Sequence, residues 1–396
     1  MENHKKSNSF HGNGMWRWIL LGVMAVAAIS SVCAATASFD FVYIGTYTEK
    51  GSEGIYVCEF DPATGHLSPP VIAAKTPAPS FLAATSGGQF LYAVNELDHF
   101  NSQATGGLSA FAIDSATGKL KLLNQASSRG AGPAHIALDR TGRFVFVANY
   151  DGGSVSVFRL LPDGKIGDST TYDKHSGSSV NHERQEGPHA HAIVMSPDNH
   201  FALVADLGLD EVFVYPFDES RGTLGQPRIV KTEPGVGPRH LTFSNDAKFV
   251  YVINELKSSI TVYSFDPRDG AMSPQQTISS LPTKFTGESN SAEIVLHPSG
   301  KFLYASNRGD DSIAAFAVDP SKGTLALIGH ISTGGKTPRS FAINPSGQWL
   351  LAANQNSNSV VAFHIDRESG KLTPTGQSIE VKSPAMVDFV PRAGQQ

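Results

Sequence analysis

The residues best able to do chemistry in this chain are three arginines, three histidines and a few carboxylates set at recurring places. They are Arg239, Arg308 and Arg339; His135, His191 and His240; and Glu255, Glu293 and Asp206. A histidine or carboxylate among guanidinium groups suits one kind of reaction. One group takes a proton from water, while the cations hold an anion or the negative charge that develops on oxygen. Guanidinium groups bind carboxylate or phosphate by paired hydrogen bonds, which suits an anionic substrate. His191 and Glu255 are both candidates for the water-activating base. A metal centre is weighed on the same stretch, because His189 and His191 stand two apart and Asp206 follows. The fourth ligand is unspecified and basic residues crowd the place, so no metal and no cofactor is expected. Phosphate-binding glycine loops, Gly-x-Ser-x-Gly elbows and dinucleotide fingerprints do not occur in a suitable setting.

A repeat must position these side chains. A short apolar run ending in a polar residue recurs seven times, closing at Thr46, Asn95, Asn149, Asp206, Asn254, Asn307 and Asn354. A second feature recurs out of phase. It is an Asp followed four residues later by Gly, as in Asp61/Gly65, Asp218/Gly222 and Asp366/Gly370, and it reads as a hairpin turn. The copy Leu160/Gly164 lacks the Asp. A third is a turn such as His297-Pro298-Ser299-Gly300 before the first kind of run. Each period therefore holds four strands, for example 292–296, 302–306, 312–318 and 324–328. No helical periodicity of useful length appears. Seven such units predict an all-β, seven-bladed β-propeller with four antiparallel strands per blade. The run at 40–46 and the final strand at 384–390 are expected to share one blade, which closes the ring and leaves no open edge. Residues 38–396 then form one domain.

Strand direction says where the chemistry sits. The starts of the innermost strands and the ends of the second strands share one face of the disc, the mouth. The regular Pro, Gly and Asp turns lie on the other face. Three irregular segments, 98–106, 168–187 and 280–290, join the mouth. Aligned inner strands put Ser80, Ala134, His191, Arg239, Ala292 and Arg339 at one position. Phe81, His135, Ala192, His240, Glu293 and Ser340 fall at the next. Strict alternation predicts that the two sets face opposite ways. Tyr47, Glu96, Tyr150, Leu207, Glu255, Arg308 and Gln355 follow the second strands at the same mouth. The strand-end asparagines read as ordinary turn chemistry.

The rest of the sequence narrows the class. With 31 basic against 36 acidic residues, it is no polybasic nucleic-acid or membrane-surface binder. Two cysteines, Cys33 and Cys58, exclude a disulfide framework, and Cys58 reads as a buried strand residue. At the N-terminus, Lys5, Lys6 and Arg17 precede an apolar run from Ile19 to Ile29 and small residues up to Ala37. This reads as a secretory signal peptide over residues 1–37, too short to span a bilayer, with a periplasmic or secreted product. A closed ring needs no partner, so a monomer is expected.

Several motifs occur in order: Gln185 to His191, Ala205-Asp206-Leu207-Gly208, Gly237-Pro238-Arg239-His240, Asn254-Glu255-Leu256, Ser306-Asn307-Arg308-Gly309 and Pro338-Arg339. Together they resemble the bacterial seven-bladed propeller lactonases, which include a 6-phosphogluconolactonase, over roughly residues 40–391. A more distant similarity is to the eukaryotic carboxy-cis,cis-muconate lactonizing enzyme. The resemblance implies hydrolysis of a sugar-type, anionic lactone at the mouth. It places catalytic roles on His191, Arg239, Glu255 and Arg308. Arg339, His240, Glu293, His135 and Asp206 are then expected to bind substrate. A signal peptide argues against a phosphorylated, intracellular substrate. Two other classes are weighed beside hydrolysis: a carboxymuconate cycloisomerase, and a secreted binding propeller without catalysis.

Overall fold

A computed structural model of the chain describes residues 40–392; the proposed leader lies outside the described residues. Seven antiparallel sheets follow one another around a ring. In the sixth blade the strands run Asn290–Leu296, Phe302–Arg308, Ser312–Val318 and Leu325–Ser332. The outermost strand extends four residues beyond expectation, because its pairing with the third continues to Ser332 opposite Ser312. Closure is as the repeat demanded. Asp40–Thr46 pairs antiparallel with Pro384–Val390, with Val42 opposite Phe389, so the two ends of the chain complete one sheet.

Seven apolar clusters lie between neighbouring blades. In one, Phe144, Phe146, Val155 and Val157 of the third blade pack on Ile193, Val204, Phe213 and Tyr215 of the fourth. Burying such side chains stabilises by about 1.5–3 kcal/mol each, which makes the ring cooperative: no blade covers its own faces. Tyr43 and Tyr304 place their polar tips on turns. Tyr43 donates to the Gly118 carbonyl at 2.7 Å and Tyr304 to that of Gly370 at 2.8 Å. Cys58 is buried in the same kind of packing, as expected.

The Asp-x-x-x-Gly turns close as predicted: Gly222 N–H donates to the Asp218 carbonyl at 2.7 Å. Gly222 holds φ +73°, and a Cβ there would stand 1.9 Å from the Phe144 ring of the neighbouring blade. Glycine is therefore required twice over, by conformation and by space. The copy without Asp closes differently, with Gly164 N–H on the Leu161 carbonyl. The strand-end asparagines are structural ties. Asn95 Nδ2 donates to the Pro77 carbonyl at 2.6 Å, and Asn307 Nδ2 to that of Ser280 at 2.7 Å.

One expectation fails in an informative way. The inner strands do not alternate strictly at the mouth. Pro238 pairs with Asn254 but His240 pairs with Ile253, so Arg239 is an extra residue. The same slip occurs at His191, Ala134, Arg339 and Ala385, and around Ala292 and Glu293. A bulge sets two residues against one and re-aims their side chains. The two sets predicted to diverge instead converge on the axis. Arg239 and His240, and likewise Arg339 and Ser340, line one small cavity.

Candidate active site

Glu255 is the hub. It follows the second strand of the fifth blade and its side chain is 4% exposed. Three guanidinium groups meet it: Arg184 at 2.7 Å on Oε1, and Arg239 and Arg308 each at 2.9 Å on Oε2. Burial alone would raise its pKa, but Arg308, Arg239 and Arg184 outweigh that and hold the carboxyl at about 2. A carboxylate so strongly stabilised is a poor proton acceptor near neutrality. It anchors the arginines instead.

Those arginines differ in reach. Arg239 is 2% exposed, and its Nη1 donates to the Ala292 carbonyl at 2.6 Å. Burial and the neighbouring Arg308 and Arg339 lower its pKa to about 9. Arg308 donates to the Asn290 and Ser291 carbonyls at 3.2 Å and keeps 16% of its side chain exposed. Arg339 lies over the Tyr47 ring at 5.1 Å. Tyr47 in turn donates to Glu96 at 2.9 Å, and Ser80 donates to the same carboxylate. Four arginines against two carboxylates, Glu255 and Glu96, leave the centre cationic.

Three histidines lie beside it. The rings of His191 and His240 are 5.2 Å apart, and those of His135 and His240 are 5.3 Å apart. All three are buried, and burial lowers each pKa well below the usual histidine value; Arg239 or His240 adds to it. They stay neutral at pH 7, which leaves a lone pair on each ring. His240 Nδ1 is bonded to Glu293 Oε1 at 2.8 Å. His191 Nδ1, His240 Nε2 and His135 Nδ1 have no protein partner. Such orphaned buried nitrogens are uncommon and call for a ligand, a water or a proton-transfer role. The cavity between Glu96, Arg239, His240 and Arg339 measures about 10 Å³, close to the space one water needs.

Asp206 is not part of this cluster, contrary to the sequence expectation. It is fully buried, and His175 Nδ1 lies 2.6 Å from Oδ2. Its Oδ1 accepts from the backbone N–H groups of His189 at 2.8 Å and Leu209 at 3.1 Å. Both oxygens are committed, so Asp206 shapes the loop before the fourth inner strand rather than meeting substrate. The triad of His189, His191 and Asp206 weighed for a metal does not assemble either. His189 stacks on Tyr150, and its Nδ1 lies 3.1 Å from the Tyr150 carbonyl.

Sequence reasoning placed Tyr47 and Glu96 at the mouth without giving them a role, and missed Arg184 and Asp388. Arg184 comes from the long irregular segment, whose first part, to Lys174, is strand. Its signal was available: a loop arginine in the same stretch as His191. Asp388 sits on the closing strand and lines, with Glu293 and Ser340, a cavity of about 840 Å³ that opens between the turns of the far face.

An all-β ring whose axis gathers arginines around one carboxylate, next to neutral histidines, has the make-up of an anion-binding acid–base centre on a propeller. The chain belongs to the seven-bladed β-propeller lactonases: the family described as "Lactonase, 7-bladed beta-propeller" matches residues 41–389. A 6-phosphogluconolactonase of Bacillus subtilis is 36% identical over 76% of this chain and 83% of its own length. Another, of Formosa agariphila, is 37% identical over 76% of this chain and 85% of its own. Among solved structures, a periplasmic gluconolactonase of Pseudomonas aeruginosa superposes with TM-score 0.84 at 36% identity, covering 90% of this chain and all of that one.

Proposed function

We propose that this chain hydrolyses a sugar-type lactone at the propeller mouth. The observation that carries the reading is the pairing of an arginine-gripped Glu255 with neutral histidines whose ring nitrogens lack partners. His191 takes a proton from water as its oxygen forms a bond to the lactone carbonyl carbon. Arg308 and Arg339, more accessible than Arg239, meet the oxyanion that develops and any anionic group on the substrate. Arg239 lies beneath them and fixes Glu255. The ring C–O bond then breaks, and the proton held by His191 passes to the departing alkoxide. The product acid ionises, so each turnover releases one proton. Asp98, Asp151 and Glu186, near one another at the rim, suit the hydroxyl groups of a sugar. The relatives' names support both the sugar and the lactone. The leader over residues 1–37, with a domain at 38–396, supports action in the periplasm or outside the cell. A panel of γ- and δ-lactones tests the reading, with glucono-δ-lactone and its 6-phosphate compared and a carboxymuconate included. Hydrolysis of a sugar lactone well above the spontaneous rate is expected. Turnover of the muconate alone, or of nothing, overturns it.

A further inference from the structure

The mouth and the far-face cavity are separate spaces on one axis. Phe81 and Ser340 line both, so the partition between them is thin. Its polar element is the His240–Glu293 hydrogen bond of 2.8 Å. His240 lines the water-sized cavity at the mouth, whereas Glu293 lines the far-face cavity together with Asp388. His240 also presents an unpartnered nitrogen in the cluster that holds His191, whose own Nδ1 is unpartnered. Titratable groups are thus spaced along the axis from the mouth to a cavity of about 840 Å³ on the opposite face, which Glu293 and Asp388 both line.

We propose that His240, Glu293 and Asp388 form a proton exit that carries the proton released by lactone hydrolysis through the axis to the far face, away from the cationic mouth. The inference rests on the hydrolase reading above. The step balances simply. The acid product gives its proton to His191. His240 Nε2 receives it as Nδ1–H passes its own proton to Glu293. Glu293 hands on to Asp388 through the cavity, and solvent takes the proton there. No electrons are exchanged. Such a route moves the proton away from the arginines, which oppose further positive charge at the mouth.

The surroundings suit the task. Glu293 faces His240, His135, Arg239 and Ser340, and Asp388 faces Glu293 and the backbone N–H of Phe389. Burial holds both carboxyls up at about 7, against Arg239 for Glu293 and against that N–H for Asp388. Groups that gain and lose a proton near the working pH transfer it most readily. Glu293 and Asp388 are positioning residues here, acting through His240 and not on substrate.

The test is Asp388→Asn in the full chain, with glucono-δ-lactone as substrate in weak buffer at pH 7. The variant is nearly isosteric and borders a cavity, and a thermal melt checks its fold. Expected are a loss of about tenfold or more in kcat, smaller than the ~10²- to 10⁴-fold of a group that transfers the reacting proton directly, and a KM within about twofold. Added imidazole, small enough to enter the far-face cavity, should restore kcat in a concentration-dependent way, and Asp388→Glu should keep most of it. The alkaline limb of the pH profile should move in Asp388→Asn. A purely structural role would move none of these in the same way. Wild-type kcat in Asp388→Asn, or a loss that imidazole leaves untouched, overturns the exit while the hydrolase reading stands. A wild-type chain with no lactone hydrolysis overturns both.

Discussion

Replacing Glu255 by Gln is the perturbation whose size the structure sets most clearly. The carboxylate is 4% exposed and shared by three guanidiniums. Its pKa falls from 4.5 to about 2 on folding, which corresponds to about 3 kcal/mol of stability at neutral pH. A lowered carboxyl contributes in full above its unfolded value near 4.5, and the contribution fades as pH falls toward 2. Glu255→Gln removes the charge and leaves Arg184, Arg239 and Arg308 facing one another. Urea unfolding at pH 7 should therefore show the variant less stable by about 3 kcal/mol. The gap between wild type and variant should shrink to less than half by pH 3, following the titration of the wild-type carboxyl. Activity should fall too, since the arginines lose their common anchor. A variant as stable as wild type at pH 7, or a gap that ignores pH, refutes the hub.

Other consequences follow from the same geometry. Arg339→Met should lower kcat/KM by about 10- to 100-fold, the worth of one hydrogen bond to a charged group, read in initial-rate assays. Asp206→Ala strands His175 Nδ1 and two backbone N–H groups. It should cost about 3 kcal/mol or more in stability while the folded fraction keeps kcat within a few-fold; a selective loss of substrate affinity would return Asp206 to the site. His135, His191 and His240 bind protons more weakly folded than unfolded, so they favour unfolding as pH falls below 6.5. Glu293 and Asp388 act in the opposite sense between about 7 and 4, because folding raises them. Asp388→Asn should therefore steepen the loss of stability between pH 6.5 and 5 by about 1.2 kcal/mol per pH unit, measurable by denaturant titration.

The ring was legible in the sequence because each blade repeats its own punctuation. Thr46, Asn95 and the other run endings mark strand ends, and the Asp-x-x-x-Gly turns mark hairpins that must fit against the aromatic of the next blade, as Gly222 does against Phe144. The site was legible in part. His191, Arg239, His240, Glu255, Glu293, Arg308 and Arg339 do converge, because the repeat has no packing use for charge at those places. Which way they point was hidden, since a bulge at Arg239 or His191 leaves no mark in a single sequence, only in the register. Arg184 was hidden because a loop of its length can fold back over any part of the mouth. Asp388 was hidden because it comes from the last strand, which joins the ring only on closure. Asp206 misled because it ends its strand as Glu255's neighbours end theirs. Its partner His175 lies in a loop whose return path no spacing reveals.

The central claim is that a neutral, buried histidine at the mouth activates water against a lactone held by arginines. Its most direct test is the rate of sugar-lactone hydrolysis by His191→Ala beside wild type, with both proteins shown to be folded by their melting curves. A fall in kcat of about 10²-fold or more, with KM little changed, is the predicted result. Hydrolysis by His191→Ala at near the wild-type rate would contradict the account.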